Sequence, residues 1–158
     1  KQLRTMSPSK PKPLPLSIDP IQKRMARAQF GALCYRVEKG MVQILLVTSR
    51  GTKRWIVPKG WPEDGLPPAE VAAKEAVEEA GVTGKVKQRP IGVYSYKKHM
   101  ENAEFLPCIV TLYALKVKKQ RDSYAEQSER RRKWFSCDEA ASQVAEPELA
   151  RLIKAFVP

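Results

Sequence analysis

The sequence predicts an α/β protein with a mixed central β-sheet covered by helices. Three observations carry this. Stretches rich in β-branched, aromatic and aliphatic residues recur from Phe30 to Phe135. One helix with clear start and stop signals interrupts them at Pro68–Ala80. Two further helical stretches close the chain, so helices and strands are mixed within one core. The 158 residues suit a single domain, and 42% hydrophobic content is too rich for wholesale disorder.

The elements follow in order. Residues 1–27 hold seven basic residues against Asp19, and five of the 13 prolines. Proline removes backbone donors and favours extended chain, so this segment reads as a basic arm preceding a domain at 28–158. It lacks the apolar stretch of a secretory signal. Phe30–Arg36 and Val42–Ser49 form a hairpin about a Glu38-Lys39-Gly40 turn. Arg54–Val57 is a short strand stopped by Pro58, and Gly60–Pro68 is a loop. Pro67 and Pro68 stand where a helix tolerates a missing N–H, and Gly81 supplies a left-handed cap after Ala80. Ile91–Tyr96 and Pro107–Val117 read as strands, Lys118–Lys133 as mostly loop, and Trp134-Phe135 as a short strand. Asp138–Val144 and Pro147–Phe156 are the closing helices.

Composition narrows the function. The longest aliphatic run, Ile44–Val47, is far short of the ~20 residues that span a bilayer, so no membrane partner is expected. Cys34, Cys108 and Cys137 show no C-x-x-C spacing, which suits buried thiols in a reducing, cytoplasmic setting. With His99 as the single histidine, a multi-histidine zinc site is excluded. The formal net charge of +12 suits an anionic partner.

The central helix carries the chemistry. At about 100° per residue, Ala73, Ala76, Val77 and Ala80 share one face and Glu75, Glu78 and Glu79 the opposite one. Such a carboxylate set is either a solvated acidic face or a hard-cation site. Two facts favour the cation. The acids lie at the negative end of the helix dipole, a loss of ~0.3–1 kcal/mol each. Glu75 and Glu79 also repel at i, i+4. All-oxygen ligands favour Mg²⁺, or Mn²⁺, over zinc. The preceding Pro58-Lys59-Gly60-Trp61 loop puts a cation and a glycine beside the acids, a combination suited to phosphate chemistry.

From Gly60 to Val82 the chain reads GWPEDGLPPAEVAAKEAVEEAGV. This resembles the Nudix hydrolase signature G-x5-E-x7-R-E-U-x-E-E-x-G-U. Gly60, Glu75, Glu78, Glu79, Gly81 and Val82 match it. Leu66 stands for the first Glu, Lys74 for the Arg, and Ala76 is a small stand-in for the aliphatic position. Leu66 and Lys74 replace an orienting ion pair together, and Lys74 is expected to meet Glu70 or Glu78 instead. Leu33–Arg36, Leu46–Gly60 and Arg131–Phe135 resemble the diphosphoinositol-polyphosphate phosphohydrolase branch, so the likeness spans about 28–157.

The resemblance implies a Nudix-type α/β/α sandwich with a mixed central sheet. It also implies metal-dependent cleavage of a phosphoanhydride bond in a highly phosphorylated small molecule, a diphosphoinositol polyphosphate or a dinucleoside polyphosphate. Glu75, Glu78 and Glu79 would then hold the metal with the Gly60 carbonyl, and Glu78 or Glu79 would double as catalytic base. Glu101, Glu104 and Glu126 are alternative bases. Arg27, Lys53, Arg54, Lys59, Arg130, Arg131 and Arg132 are the expected phosphate-binding residues. Lys97, Lys98 and His99 are weaker candidates, Trp55 and Trp134 are expected in the core, and Trp61 either packs on substrate or on the sheet. Two other readings stand beside this one: a nucleic-acid or polyanion-binding module on a degenerate Nudix core, and a Nudix enzyme for capped RNA or nucleotide sugars.

Overall fold

The computed structural model describes residues 27–102 and 104–158. The basic arm expected at 1–27 lies, apart from Arg27, outside the described residues.

Continuous apolar runs, buried on both faces, build β1 (Arg27–Glu38) and β2 (Met41–Thr48), which pair antiparallel from Cys34↔Leu45 to Glu38↔Met41. The expected hairpin is therefore present, with Lys39 and Gly40 both at positive φ in its turn. Two short strands follow, β3 (Trp55–Ile56) and β4 (Lys59–Gly60). The helix α1 (Pro68–Glu75) continues into a π-helical turn at Ala76–Ala80. Then come β5 (Val82–Val86), β6 (Gly92–His99), the long β7 (Phe105–Gln120) and β8 (Arg132–Ser136). The chain closes with α2 (Cys137–Gln143) and α3 (Pro147–Lys154).

The strands form one mixed eight-stranded sheet. Its main path is β3-β2-β1-β7-β5, with β4 also on β1, β6 on β7 and β8 on β2. The central pair, β1 and β7, is parallel from Arg27↔Cys108 to Tyr35↔Lys116. Alternation along these strands supplies two cores. Leu33, Ile44, Leu46 and Leu112 face α2 and α3, packing on Leu149 and Ile153. Ala32, Cys34, Leu45 and Leu115 face α1, packing on Ala69, Ala72, Ala76 and Ala80. The result is the expected α/β/α layering. Small residues on α1 let the helix lie close to the sheet.

The structure adds one strand and corrects two local expectations. Val82–Val86, to which the sequence reading assigned no element, is a strand because it pairs with the end of β7 across a bulge at Thr83/Gly84. The polar Lys118–Lys133 segment begins inside β7 and ends inside β8, leaving only 121–131 outside strands. Lys74 reaches neither Glu70 nor Glu78 as its ion-pair partner. It pairs at 2.6 Å with Glu63, on the loop that folds back over α1.

Candidate active site

β4 positions the start of the site. Phe30↔Gly60 and Gly31↔Lys59 pair it with β1, and the Ala32 N–H donates to the Pro58 carbonyl at 2.9 Å. The loop is thereby fixed at the end of the sheet, with Gly60 directly against α1. A Cβ on Gly60 would overlap the Glu75 carboxylate, so a larger residue there would displace that side chain from its present position.

The face that α1 and its π-turn bury is rotated from the expected one. Ala69, Ala72, Ala76, Ala80 and Glu79 are buried, whereas Ala73 and Val77 are only half-buried. On a helical wheel this turns the buried face by about 50° toward the carboxylates. Glu79 therefore lies at its flank, 6% exposed, and Glu78 lies outermost of the three. A π-turn is rare and is found mostly at functional sites. Here it carries Glu78 and Glu79 and ends at Gly81, whose φ of +66° is the expected left-handed cap. A Cβ there would run into the Tyr124 ring.

Glu79 is held from two sides. The Lys59 backbone N–H donates to its Oε2 at 2.9 Å. Arg130 Nη2 donates to its Oε1 at 3.2 Å, and both side chains are 7% exposed. Arg130 also donates to Glu126 Oε1 at 3.1 Å and to the Thr48 carbonyl at 3.0 Å. Three hydrogen bonds thus lock its guanidinium between α1, β2 and the 121–131 loop. Burial raises the Glu79 carboxyl to about 7 against the pull of Arg130 and Lys59. Burial also raises Glu75 to about 7, reinforced by repulsion from Glu79, Glu78 and Glu126. Lys59 moves the other way, to about 8, because burial outweighs the attraction of Glu79 and Glu146.

These groups line a cavity of about 1060 Å³ at the end of the sheet. Of the residues singled out from sequence, Gly60, Glu75, Glu79, Arg54, Lys59 and Arg130 line it, as do Trp61, Glu101 and Glu126. Lys97, Lys98 and His99 line it as well. Five expectations are not met in placement, and Glu104 is also outside the lining. Glu78 is half-buried and outside the lining, and its carbonyl accepts the Glu126 N–H. Arg27 lies at the start of β1 beside Cys108, away from the lining. Lys53 sits in an exposed turn at φ +53°. Arg131 turns outward, its guanidinium 5.7 Å from the Trp55 ring centre. Arg132 is structural: it donates to the Ala80 and Arg121 carbonyls and covers the Tyr124 ring, closing the end of the π-turn. Trp55 packs edge-on against Phe135, and Trp134 lies under Arg36, so neither reaches the cavity.

Sequence reasoning missed Gln29, Tyr96 and Glu146. They come from β1, β6 and the residue before α3, and no spacing rule links segments so far apart. Glu146 had one readable signal, an acid directly before Pro147 at a helix start.

Among the described residues no group of three or more His, Cys, Asp or Glu side chains is gathered as a ready metal cluster. The donors nevertheless fit a hard divalent cation in kind. Glu75 makes no hydrogen bond or ion pair among the described residues, and it is repelled by three other carboxylates. A cation would relieve that repulsion.

A mixed sheet between two helical layers, with a carboxylate-bearing helix facing a basic loop at the sheet end, defines a Nudix-type domain. The chain belongs to that family: the NUDIX domain model matches residues 25–156. It is 36% identical to Nudix hydrolase 16, mitochondrial, of Arabidopsis thaliana over 68% of the chain and 61% of that protein. It is 32% identical to human diphosphoinositol polyphosphate phosphohydrolase 3-beta, over 68% of the chain and 63% of the relative. The chain thus spans about three fifths of the length of these curated relatives. In fold it is similar to a Caenorhabditis elegans Ap4A hydrolase complex, with TM-score 0.61 at 20% identity, covering 82% of the chain and 93% of that structure. The NUDIX domain of Shewanella oneidensis NrtR, solved with ADP ribose, gives TM-score 0.61 at 12% identity, covering 87% and 92%.

Proposed function

We propose that this domain hydrolyses a phosphoanhydride bond in a polyphosphorylated small molecule, with a divalent cation, Mg²⁺ or Mn²⁺. One observation carries the reading: Glu75 and Glu79 meet Arg54, Lys59 and Arg130 on one cavity. Carboxylates for a cation and cations for phosphate oxygens are the two halves of metal-assisted phosphoryl chemistry.

Glu75 and Glu79 would hold the cation, with the Gly60 carbonyl beside them and Glu78 at the edge. A cation bound there supplies Lewis-acid polarisation of a phosphoryl oxygen. The chain's own groups do the rest. Lys59 and Arg54 hold phosphate oxygens. Arg130 keeps Glu79 oriented through its three fixed hydrogen bonds. Glu79, whose carboxyl burial raises to about 7, would take a proton from water as general base. The names of relatives support two substrate classes, diphosphoinositol polyphosphates and dinucleoside polyphosphates.

The test is phosphate release with product masses, with and without Mg²⁺, on diphosphoinositol polyphosphate, diadenosine tetraphosphate, a nucleotide sugar and capped RNA. Metal-dependent cleavage is expected, and Glu79→Gln should lower kcat by about 100-fold or more while the fold persists. A folded wild-type protein that cleaves none of them would overturn the hydrolase reading in favour of polyanion binding.

A further inference from the structure

β5 and the end of β7 form a basic surface remote from the cavity. Neither 82–90 nor 105–121 contains an acidic residue. Lys85 lies on β5 and Lys87 just after it, while Lys116, Lys118 and Lys119 lie on β7. All five are exposed, and none makes an ion pair among the described residues. None lines the cavity. Cys108, which pairs with the cavity residue Tyr96, stands eight residues before Lys116 along β7, about 26 Å at the rise of a strand.

The pairing register gathers these charges on one face. Lys85 stands directly opposite Lys116. Residues so placed share a face, and like charges there repel. Lys87 is two residues further on, and its N–H donates to the Ala114 carbonyl, so the same face continues. Thr83 precedes Lys85 by two and stands opposite Lys119, because the register shifts between Thr83 and Gly84. Unbroken alternation would send Lys119 to the other face of the sheet, where Leu115 and Val117 pack in the α1 core. The bulge therefore adds a cation to a face that already repels itself. Bulges re-aim side chains in this way and act as built features. A surface arranged for stability alone would set an acid opposite Lys116, whereas a polyanion lying across the face would relieve the repulsion.

The composition of the face says which polyanion. The apolar neighbours, Val86 and Val117, are half-buried on the opposite side, in the α1 core. Thr83, Lys85, Lys116 and Lys119 thus offer no apolar side chain of the kind that peripheral membrane binding inserts. Lysine is depleted at protein–protein interfaces, where aromatic residues and arginine are the anchors. Segments 82–87 and 114–120 contain no aromatic residue on which a base could stack. Closely set ammonium groups alone suit phosphodiester oxygens, which are held by charge and carry no sequence information. We infer that the β5–β7 face binds the phosphate backbone of nucleic acid without sequence preference, a property independent of phosphoanhydride hydrolysis.

The experiment is fluorescence anisotropy of DNA and RNA duplexes with the full chain, in EDTA. Wild type should bind two unrelated sequences equally, with an affinity that falls as salt rises from about 50 to about 200 mM. Replacing four lysines together, Lys85→Gln, Lys87→Gln, Lys116→Gln and Lys119→Gln, should weaken binding at least about tenfold at the lower salt. It should also flatten the slope of log K against log salt by about 3–4. Binding confined to one duplex supports the assignment and names the source as DNA or RNA. Lys85→Glu is the second variant. It sets opposite charges across the strand pair, so Tm should hold or rise while binding weakens. A fall in Tm with binding unchanged would make the lysine structural and overturn the assignment. No binding by folded wild type would overturn it too. So would equal slopes for wild type and the quadruple variant. Self-association of that variant would then assign the lysines to guarding the exposed edge of β5. Vesicles of phosphatidylserine and phosphatidylcholine are the last probe. Lysine-dependent binding to them, with none to either duplex, would make the face a membrane surface and overturn the nucleic-acid assignment.

Discussion

Arg130 shows how much one side chain can hold. Its guanidinium joins Glu79, Glu126 and the Thr48 carbonyl, and only 7% of it is exposed. Replacing it with methionine keeps the apolar bulk but leaves the buried Glu79 without its ion-pair partner. Breaking a buried ion pair from one side costs about 3–5 kcal/mol, so Arg130→Met should lose stability on that scale in urea denaturation. A loss under about 1 kcal/mol would mean that the pair is solvated in solution. Lys59 makes a separate prediction. Its ammonium is charged below about 8 and neutral above. Phosphate binding should therefore weaken as pH rises through that value. A pH profile of KM for the polyphosphate substrate should turn upward near pH 8, and Lys59→Arg should move the turn beyond the measurable range.

At the scale of elements, the π-turn decides which carboxylates reach the cavity. It also depends on its cap. Gly81 and Gly40 both have positive φ, but only at Gly81 would a Cβ meet a neighbour, the Tyr124 ring. The left-handed conformation alone costs a non-glycine residue roughly 1–2 kcal/mol. Gly40→Ala should thus lose about that much, and Gly81→Ala distinctly more, as read by thermal denaturation of the two variants side by side. Equal losses would show that the 121–131 loop yields freely. That loop is tied to the helix end: the Arg121 N–H donates to the Gly81 carbonyl and the Glu126 N–H to the Glu78 carbonyl. A segment that reads as polar loop is therefore part of the site's frame.

For the molecule as a whole, the site stores electrostatic stress. Glu75 and Glu79 titrate near 7 in the folded state, above the usual carboxylate range near 4.3 in the unfolded chain. Between those values the folded state binds more protons, so stability falls as pH rises. The contribution is fully present below about 4.3 and gone above about 7. In EDTA, Tm should fall by several degrees from about pH 5 to about pH 8, and Mg²⁺ should restore most of it at the upper end. An EDTA profile that is flat across this range would show that the protein's own cations already neutralise the pair.

Much of the fold was legible in local pattern. The β1–β2 hairpin follows from two apolar stretches about Lys39-Gly40, and the start of α1 from Pro67-Pro68. Gly81 was readable as its stop, because few other residues adopt that conformation at low cost. Val82–Val86 was not, since Gly84 and Lys85 weaken a strand pattern that only the long β7 completes by pairing. The site divides in the same way. Glu75, Glu79, Gly60 and Lys59 lie within 20 residues of one another, and their spacing alone marks them as a set. Which of three neighbouring glutamates faces the cavity was settled by how far α1 rotates on the sheet, a packing outcome with no local code. Whether an arginine of the 130–132 run binds Glu79, stacks on Trp55 or seals the π-turn depended on where the loop crosses α1. Glu146 and Tyr96 joined the site only because parallel pairing of β1 and β7 brings both helical layers to one end of the sheet. Local sequence determined the chemistry on offer, and tertiary packing decided which groups share a cavity, because burial and pairing are properties of distance in space rather than along the chain.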